Sequence, residues 1–321
     1  MTSHDRGRGI LIAAEGWDTE AWAARVQAAD ETRAVHIHPA AAVAPEDIGY
    51  ALVWRPPAGF FHGLPNLRAI FSLGAGVDHL VFRDDLPDVP IVRVVNPDLT
   101  QRMTEWVTLQ VLMHHRRQRQ YDAQQRARQW QELEQPAAAD IRVGIMGMGV
   151  LGNDAAEMLV RLGYQVAGWR RTKAAAAGVP TYHGAAELDA FLARTDILVS
   201  LLPLTNETRG ILSMPLFRKL AQDGALGGPV LINAGRGGSQ VEADIIAALE
   251  RRVLIGASLD VFEREPLDAS SPLWTREDVI ITPHAAAWSD PAPLAAKIVA
   301  QIKAFEAGKP LENAIDRTAG Y

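Results

Sequence analysis

The sequence predicts an α/β protein made of two doubly wound parallel-sheet domains. Three observations carry that expectation. Short apolar runs closed by Gly, Pro or Asp alternate with segments of helical periodicity along the chain. A glycine-rich turn, Gly147-Met148-Gly149-Val150-Leu151-Gly152, stands between one such run and a helical segment. Charged residues follow the ends of several runs, where open parallel sheets place their ligand crevice. With 321 residues, 48% hydrophobic and 22% charged, the chain is long enough to bury two cores.

Taken in order, the first strand-like runs are Ile10–Ala14, Ala34–His38, Ala51–Trp54, Arg68–Ser72 and Ile91–Val95, with a helix over Thr19–Ala29. Strands separated by helices or long crossovers pair in parallel. The run Arg68–Ser72 leads into Leu73-Gly74-Ala75-Gly76-Val77-Asp78. The N–H groups of that turn can form a nest for a carboxylate; a tight turn without a ligand is the alternative. Asn96-Pro97-Asp98 breaks the strand pattern, and a long helix is expected over Met103–Arg119, with the first domain crossing at 103/104. The polar run Arg126–Glu134 is either an arm that packs on a second subunit or a solvated helical face.

The glycine turn sits in the most informative stretch. Val143–Met146 reads as a strand, Ala155, Met158, Leu159 and Leu162 recur at helical spacing, Gly163 caps that helix, and Tyr164–Trp169 reads as the next strand. In that context the G-x-G-x-x-G pattern reads as a dinucleotide fingerprint; a glycine-rich turn without a ligand is the alternative. Gly147 allows the tight turn, Gly149 lets backbone approach a pyrophosphate, and Gly152 lets helix and strand pack closely. The helix N-terminus adjoining Val150 and Leu151 offers N–H groups and a partial positive charge to phosphates.

The second strand of this unit ends in Trp169-Arg170-Arg171-Thr172-Lys173. A site for NAD carries Asp or Glu there to accept the ribose hydroxyls; this chain has neither. Arg170, Arg171, Thr172 and Lys173 suit a 2′-phosphate, and charge-assisted bonds worth about 1.5–3 kcal/mol each favour NADP(H) over NAD(H). A solvated basic loop is the alternative. Further strands are expected at Asp196–Leu202 closed by Pro203, Val230–Ala234 closed by Gly235-Arg236-Gly237, Leu254–Asp260 and Val279–Thr282. Helices are expected over Met214–Leu220 and Ala243–Leu249, and a helical pattern over Pro291–Gly308 returns the chain from 289 onward to the first domain.

Composition narrows the function. There is no cysteine, which excludes disulfides, thiolate catalysis and cysteine-bound metals. A net charge of −6 and a pI near 5.9 argue against nucleic acid as a partner. His36 with His38 and His114 with His115 have no evident companions for a ligand set, so no metal is expected. The opening MTSHDRGRG lacks the apolar stretch of a secretory leader, and no apolar run approaches the roughly 18 residues of a membrane span. A cytoplasmic protein without a membrane partner is expected.

Arg236, Glu265 and His284 fall at or just beyond expected strand ends of the second domain. An imidazole exchanges protons near neutrality, a carboxylate on its other nitrogen favours the imidazolium, and a guanidinium clamps a carboxylate or a carbonyl oxygen. That trio suits hydride transfer between a nicotinamide and a 2-oxo acid. Singly, each residue type is more often structural; the three at one expected sheet edge point to a reaction.

On LGAGVDHL (73–80), GIMGMGVLG (144–152), LLPLTNETRGIL (201–212), LINAGRGG (231–238), LDVFEREPL (259–267) and ITPHAAA (281–287), the chain resembles the D-2-hydroxyacid dehydrogenase family along nearly its whole length. The resemblance implies a Rossmann cofactor domain (104–288) inserted into a flavodoxin-like substrate domain (1–103 and 289–321), in a homodimer. It implies substrate binding by Arg236 and by Ala75 with Gly76, an acid/base pair of His284 and Glu265, and nicotinamide contacts by Asp260. Leu202, Pro203, Ala234 and Gly235 would adjoin the cofactor. LVWRPPAG (52–59), WRRTK (169–173), PLWTREDVIITPH (272–284) and DRTAGY (316–321) are similar to the bacterial glyoxylate/hydroxypyruvate reductases of the A type, an NADPH-preferring group. That likeness places Trp54 beside the substrate, with Trp288 bulkier than the residue many family members carry there. The expected activity is NADPH-dependent reduction of glyoxylate or hydroxypyruvate. The alternatives are another 2-oxo acid, or a cofactor-sensing, corepressor-like binding protein on the same scaffold. A formate-dehydrogenase-like reading is disfavoured because that group pairs its histidine with Gln, where this chain has Glu265.

Overall fold

In the computed structural model, which describes residues 8–39, 43–74, 76–93, 95–173, 178–287 and 290–317, the chain divides into two compact units. One comprises Met1–Pro97 with Ser289–Tyr321, the other Asp98–Trp288.

The first unit opens with β1 (Gly9–Ala14), all of it buried, and α1 (Thr19–Ala29), whose first turn is capped by the Asp18 carboxylate accepting from the Ala21 amide at 2.9 Å. Next come β2 (Val35–Ile37), β3 (Ile48–Trp54), β4 (Ala69–Ser72), the short α2 (Asp78–Val81) and β5 (Ile91–Arg93). All pairings are parallel, in the order β2-β1-β3-β4-β5, the flavodoxin-like arrangement. All the strands' C-terminal ends therefore share one edge, which carries Trp54 and the turn after Ser72.

In the second unit α3 (Pro97–His115) begins where the sequence pattern suggested a break. Proline at the first helical position has no N–H to lose, and the polar opening turn, with Arg102 Nε bonded to Asp98 at 3.0 Å, hides the helix from an apolar-periodicity reading. The helix stops before Arg117, whose φ is +54°, and α4 (Gln118–Arg126) follows. The polar run after α4 is not a helix. It is fastened back by Arg117 Nε to the Glu134 carbonyl at 2.7 Å and by the Tyr121 hydroxyl, which accepts from the Leu133 amide at 3.1 Å.

The sheet of this unit contains β6 (Arg142–Met146), then after α5 (Val150–Arg161) β7 (Gln165–Arg170) and β8 (Thr181–His183). After α6 (Gly184–Ala193) come β9 (Ile197–Ser200), α7 (Met214–Phe217), β10 (Val230–Asn233), α8 (Glu242–Glu250), β11 (Gly256–Leu259) and β12 (Val279–Ile281). The order is β12-β11-β10-β9-β6-β7-β8, all parallel, and direction reverses between β6 and β9. That reversal is the switch point at which doubly wound sheets bind ligands. β8 and α6 were not foreseen: β8 is a half-buried three-residue strand without an apolar run. Alternate strand residues face opposite cores, Val143, Ile145, Val199 and Ile232 on one side and Met146, Leu198, Leu231 and Leu259 on the other.

The chain returns to the first unit as α9 (Pro291–Glu306), capped by Asp290 accepting from the Ala292 amide. It lays Leu294, Ala295, Ile298, Val299 and Ile302 on a cluster with Trp22, Val26, Leu52 and Phe71. Its last residue, Glu306, takes two bonds from the buried Arg33 guanidinium, at 3.0 and 2.8 Å, and one from the Tyr50 hydroxyl at 3.2 Å. Burial, reinforced by Glu306, pushes the Tyr50 hydroxyl up to about 12.

Candidate active site

The glycine turn forms at the end of β6. Gly147 has φ +102°, and a Cβ there would stand 2.6 Å from the Leu201 carbonyl oxygen; a Cβ on Gly152 would meet the Gly147 carbonyl oxygen at 2.2 Å. Neither position admits a side chain without moving the backbone. Met148 instead buries its side chain against Gly168 of β7, and Val150 lies half exposed at the start of α5. Gly149 is the N-cap of α5, no side chain caps it, and a Cβ there would meet nothing within 4 Å. The start of α5 at Gly149 thus faces open space and carries no side-chain cap, which fits the pyrophosphate of a dinucleotide. Gly235 brings the end of β10 against Leu202, a Cβ there falling 2.7 Å from the Leu202 carbonyl oxygen, so Leu202, Pro203, Ala234 and Gly235 line the same edge beside the glycine turn.

β7 ends at Arg170, and Arg171, Thr172 and Lys173 follow, exposed. Arg171 is bonded through Nη1 to the Glu207 carboxylate at 3.3 Å. Sequence reading did not single out Glu207, whose turn is set by Thr205 and by Thr208, its hydroxyl donating to the Pro203 carbonyl at 2.6 Å. Cation, hydroxyl and amide groups at this strand end fit a phosphorylated ribose.

His284 and Glu265 meet. The histidine Nδ1 lies 3.0 and 2.9 Å from the two carboxylate oxygens, with the side chains 33% and 21% exposed. His284 has φ +53°, a conformation uncommon for a residue with a side chain, and it is held there by its amide donating to the Asp260 carbonyl at 2.7 Å. The Asp260 carboxylate is 2% exposed and organises the same turn. It accepts from the Thr282 hydroxyl at 2.5 Å, the Ala285 amide at 2.8 Å and the Ala286 amide at 3.1 Å. Glu265 is steadied by the Phe262 amide at 3.2 Å. Arg236 follows β10, one Nη on the Gly235 carbonyl at 2.7 Å and its own carbonyl accepting from Ser239 and Asn233. A Cβ on Gly237 would fall 1.9 Å from the Phe262 carbonyl, so the Arg236 loop lies directly on the segment that carries Glu265. Adjacent parallel strands β10, β11 and β12 therefore deliver Arg236, Glu265 and His284 from one edge.

In the first unit, the turn after β4 is shaped by Ser72, buried, whose hydroxyl donates to the carbonyls of Gly74 at 3.1 Å and Gly76 at 3.0 Å. In a trans peptide the N–H opposes the C=O, so the Val77 amide, opposite the Gly76 carbonyl that Ser72 holds, points away from Ser72, as an amide of an anion nest would. Trp54, at the end of β3, lies against it. Ala75 and Trp288 fall outside the described residues.

The paired histidines are structural. His115 bonds the Tyr164 hydroxyl at 2.6 Å and the Pro136 carbonyl at 2.9 Å, and His114 Nε2 lies 2.9 Å from Ser258 Oγ. Burial, with Arg119 nearby, pushes His114 down to about 4. Among the described residues no group of three or more His, Asp or Glu is placed to hold a metal, and no helix is long and apolar enough to cross a membrane.

The chain is similar to known proteins along most of its length. The family model for the D-isomer specific 2-hydroxyacid dehydrogenase NAD binding domain matches residues 108–286. Over 278 residues, 85% of this chain and 87% of the relative, the sequence is 41% identical to glyoxylate/hydroxypyruvate reductase A of Escherichia fergusonii. An NADPH-dependent glyoxylate/hydroxypyruvate reductase from Sinorhizobium meliloti, solved with NADP and sulfate, matches with a TM-score of 0.92 at 49% identity, covering 98% of this chain and 100% of that one. A probable 2-hydroxyacid dehydrogenase from Rhizobium etli, solved with NADP, HEPES and L(+)-tartaric acid, matches with a TM-score of 0.92 at 49% identity, covering 98% and 99%.

Proposed function

The chain belongs to the D-isomer specific 2-hydroxyacid dehydrogenase family, and we propose that it reduces glyoxylate or hydroxypyruvate to the 2-hydroxy acid with NADPH as reductant. The observation that carries this reading is the His284–Glu265 pair at the edge that also bears Arg236 and the glycine turn. A bound nicotinamide supplies the hydride. His284, its Nδ1 turned to Glu265, presents Nε2 to the substrate and gives its proton to the carbonyl oxygen as that oxygen becomes an alcohol. Glu265 stabilises the imidazolium before the transfer, and the Asp260–Thr282 bond fixes the turn from which His284 acts. Arg236 and the amides of the turn at Gly76 are assigned to the acid's carboxylate and carbonyl oxygens. One 2-oxo acid, one NADPH and one proton give one 2-hydroxy acid and one NADP⁺. Arg171, with Arg170, Thr172 and Lys173, is assigned to the 2′-phosphate, a reading supported by the NADP bound in the two solved relatives.

We assign the second unit to the coenzyme and the first to the acid. A homodimer fits the non-helical run after α4, on which Trp130 is wholly exposed. Sedimentation equilibrium giving about twice 34.9 kDa supports the dimer, and a monomer contradicts it. The function is tested by following oxidation of NADPH and NADH with glyoxylate and hydroxypyruvate side by side. Turnover favouring NADPH is expected. Turnover favouring NADH removes the phosphate role from Arg171, and no turnover with either acid favours a different 2-oxo acid or a cofactor-sensing protein.

A further inference from the structure

Resting on the reductase reading, we infer that Trp17 is a positioning residue for substrate selectivity. By stacking on Trp54 it fixes an aromatic wall beside Gly74 that restricts the enzyme to short 2-oxo acids.

Trp17 lies in the connection from β1 to α1, at the C-terminal edge of the sheet that also bears Trp54 and the turn. The chain leaving β1 folds back over the end of β3: the Glu15 amide donates to the Trp54 carbonyl at 3.0 Å, Gly16 has φ +75°, and the Trp17 amide donates to the Ala14 carbonyl at 3.3 Å. The Trp17 ring then stacks on Trp54 with centroids 5.6 Å apart and planes at 27°, and on Trp22 at 6.0 Å and 26°. Trp22 is 3% exposed and Trp17 36%, so the stack runs from the core outward to the edge where ligands bind.

Trp54 is confined on its remaining sides as well. Its centroid is 4.6 Å from that of His79, and a Cβ on Gly74 would fall 2.2 Å from its Cζ3, so the six-membered ring of the indole lies directly against Gly74 of the turn assigned to the carboxylate. The next residue, Arg55, has φ +46° and sets its guanidinium 5.7 Å from the Trp54 ring centre. Non-glycine residues in that conformation are costly and gather at ligand sites. A two-carbon or three-carbon acid whose carboxylate rests on this turn carries its substituent next to the indole. Free rotation of the indole about χ1 and χ2 would open that space, and Trp17 removes this freedom while leaving the reacting groups on the second unit untouched.

The test compares kcat/KM for glyoxylate with kcat/KM for the branched 4-methyl-2-oxopentanoate at saturating NADPH, in the wild type, Trp17→Ala and Trp17→Phe. The ratio is internal to each preparation, so a loss of folded protein cancels. Trp17→Ala is expected to raise the branched-to-glyoxylate ratio about 3- to 10-fold, the size of one aromatic-pair contribution. The change should lie in KM, with kcat for glyoxylate nearly unchanged and Trp17→Phe restoring the wild-type ratio. Trp17→Leu, which keeps an apolar side chain but no ring to stack on Trp54, is expected to move the ratio in the same direction and serves if Trp17→Ala does not fold. An unchanged ratio in the folded variants overturns the inference alone. Absence of turnover by the wild type with every 2-oxo acid overturns the reductase reading, and the inference with it.

Discussion

In the second unit the candidate chemistry is held by charge and hydrogen bonding: His284 on Glu265, the His284 turn on Asp260, and the Arg236 loop pressed on the segment bearing Glu265. In the first unit the corresponding edge is built in another way. Its turn is shaped by one serine hydroxyl and its wall by stacked rings. The difference matches the demands on each. Moving a proton needs groups fixed at one distance and in one protonation state, whereas accepting an acid of a given size needs backbone amides and a rigid apolar surface. Damage to the His284, Glu265 and Asp260 network should therefore appear in kcat, and damage to the turn and wall of the first unit in KM and selectivity.

The largest effect outside the reacting groups themselves is expected at Asp260. Asp260→Ala strands the Thr282 hydroxyl and the Ala285 and Ala286 amides in a buried site. It should cost about 2–4 kcal/mol of stability and reduce kcat on the order of 100-fold, because His284 loses its fixed orientation. Thermal unfolding and steady-state kinetics on the same preparation check both halves, and a variant with wild-type kcat removes Asp260 from the positioning role.

Arg171 tests the coenzyme side. Arg171→Ala should lower affinity for NADPH about 10-fold or more while changing NADH little, as expected for loss of one charge-assisted phosphate bond. Fluorescence titration with each coenzyme reads this without turnover. Equal weakening of both coenzymes would assign Arg171 to general packing with Glu207.

A smaller effect separates structure from chemistry within the second unit. His114 is held down to about 4, mainly by burial, against an ordinary 6.5. Below pH 6.5 the unfolded chain takes up a proton that the folded chain refuses, so this residue's contribution is complete above pH 6.5 and is lost as pH falls toward 4. The loss is at most about 3 kcal/mol. His114→Asn should flatten the stability profile over that window in urea titrations. An equally steep profile in the variant would place the acid sensitivity elsewhere.

The same contrast explains what was legible in the sequence. The glycine turn, Arg236, Glu265 and His284 sit on local signals: apolar strands ending in glycine, in a charged residue, or in Thr-Pro-His. Alternating strands and helices likewise announced both parallel sheets. The early start of α3 was hidden because Asp98, Thr100, Gln101 and Arg102 carry no apolar stripe, and β8 because three half-buried residues make no run. Asp260 was noticed, but its bonds to Thr282, Ala285 and Ala286 arise from pairing β11 with β12, which no local spacing encodes. Trp17 and Glu207 were not marked at all. Each gains meaning only from a partner distant in sequence, Trp54 and Arg171.

The central claim, that His284 is the proton donor of a 2-oxo acid reductase, is met most directly by comparing wild type with His284→Ala for NADPH oxidation by glyoxylate, with NADPH binding measured separately by fluorescence. The account predicts a fall in kcat of about 10²- to 10⁴-fold with the NADPH dissociation constant preserved. A variant that binds NADPH and turns over glyoxylate at the wild-type rate would contradict it.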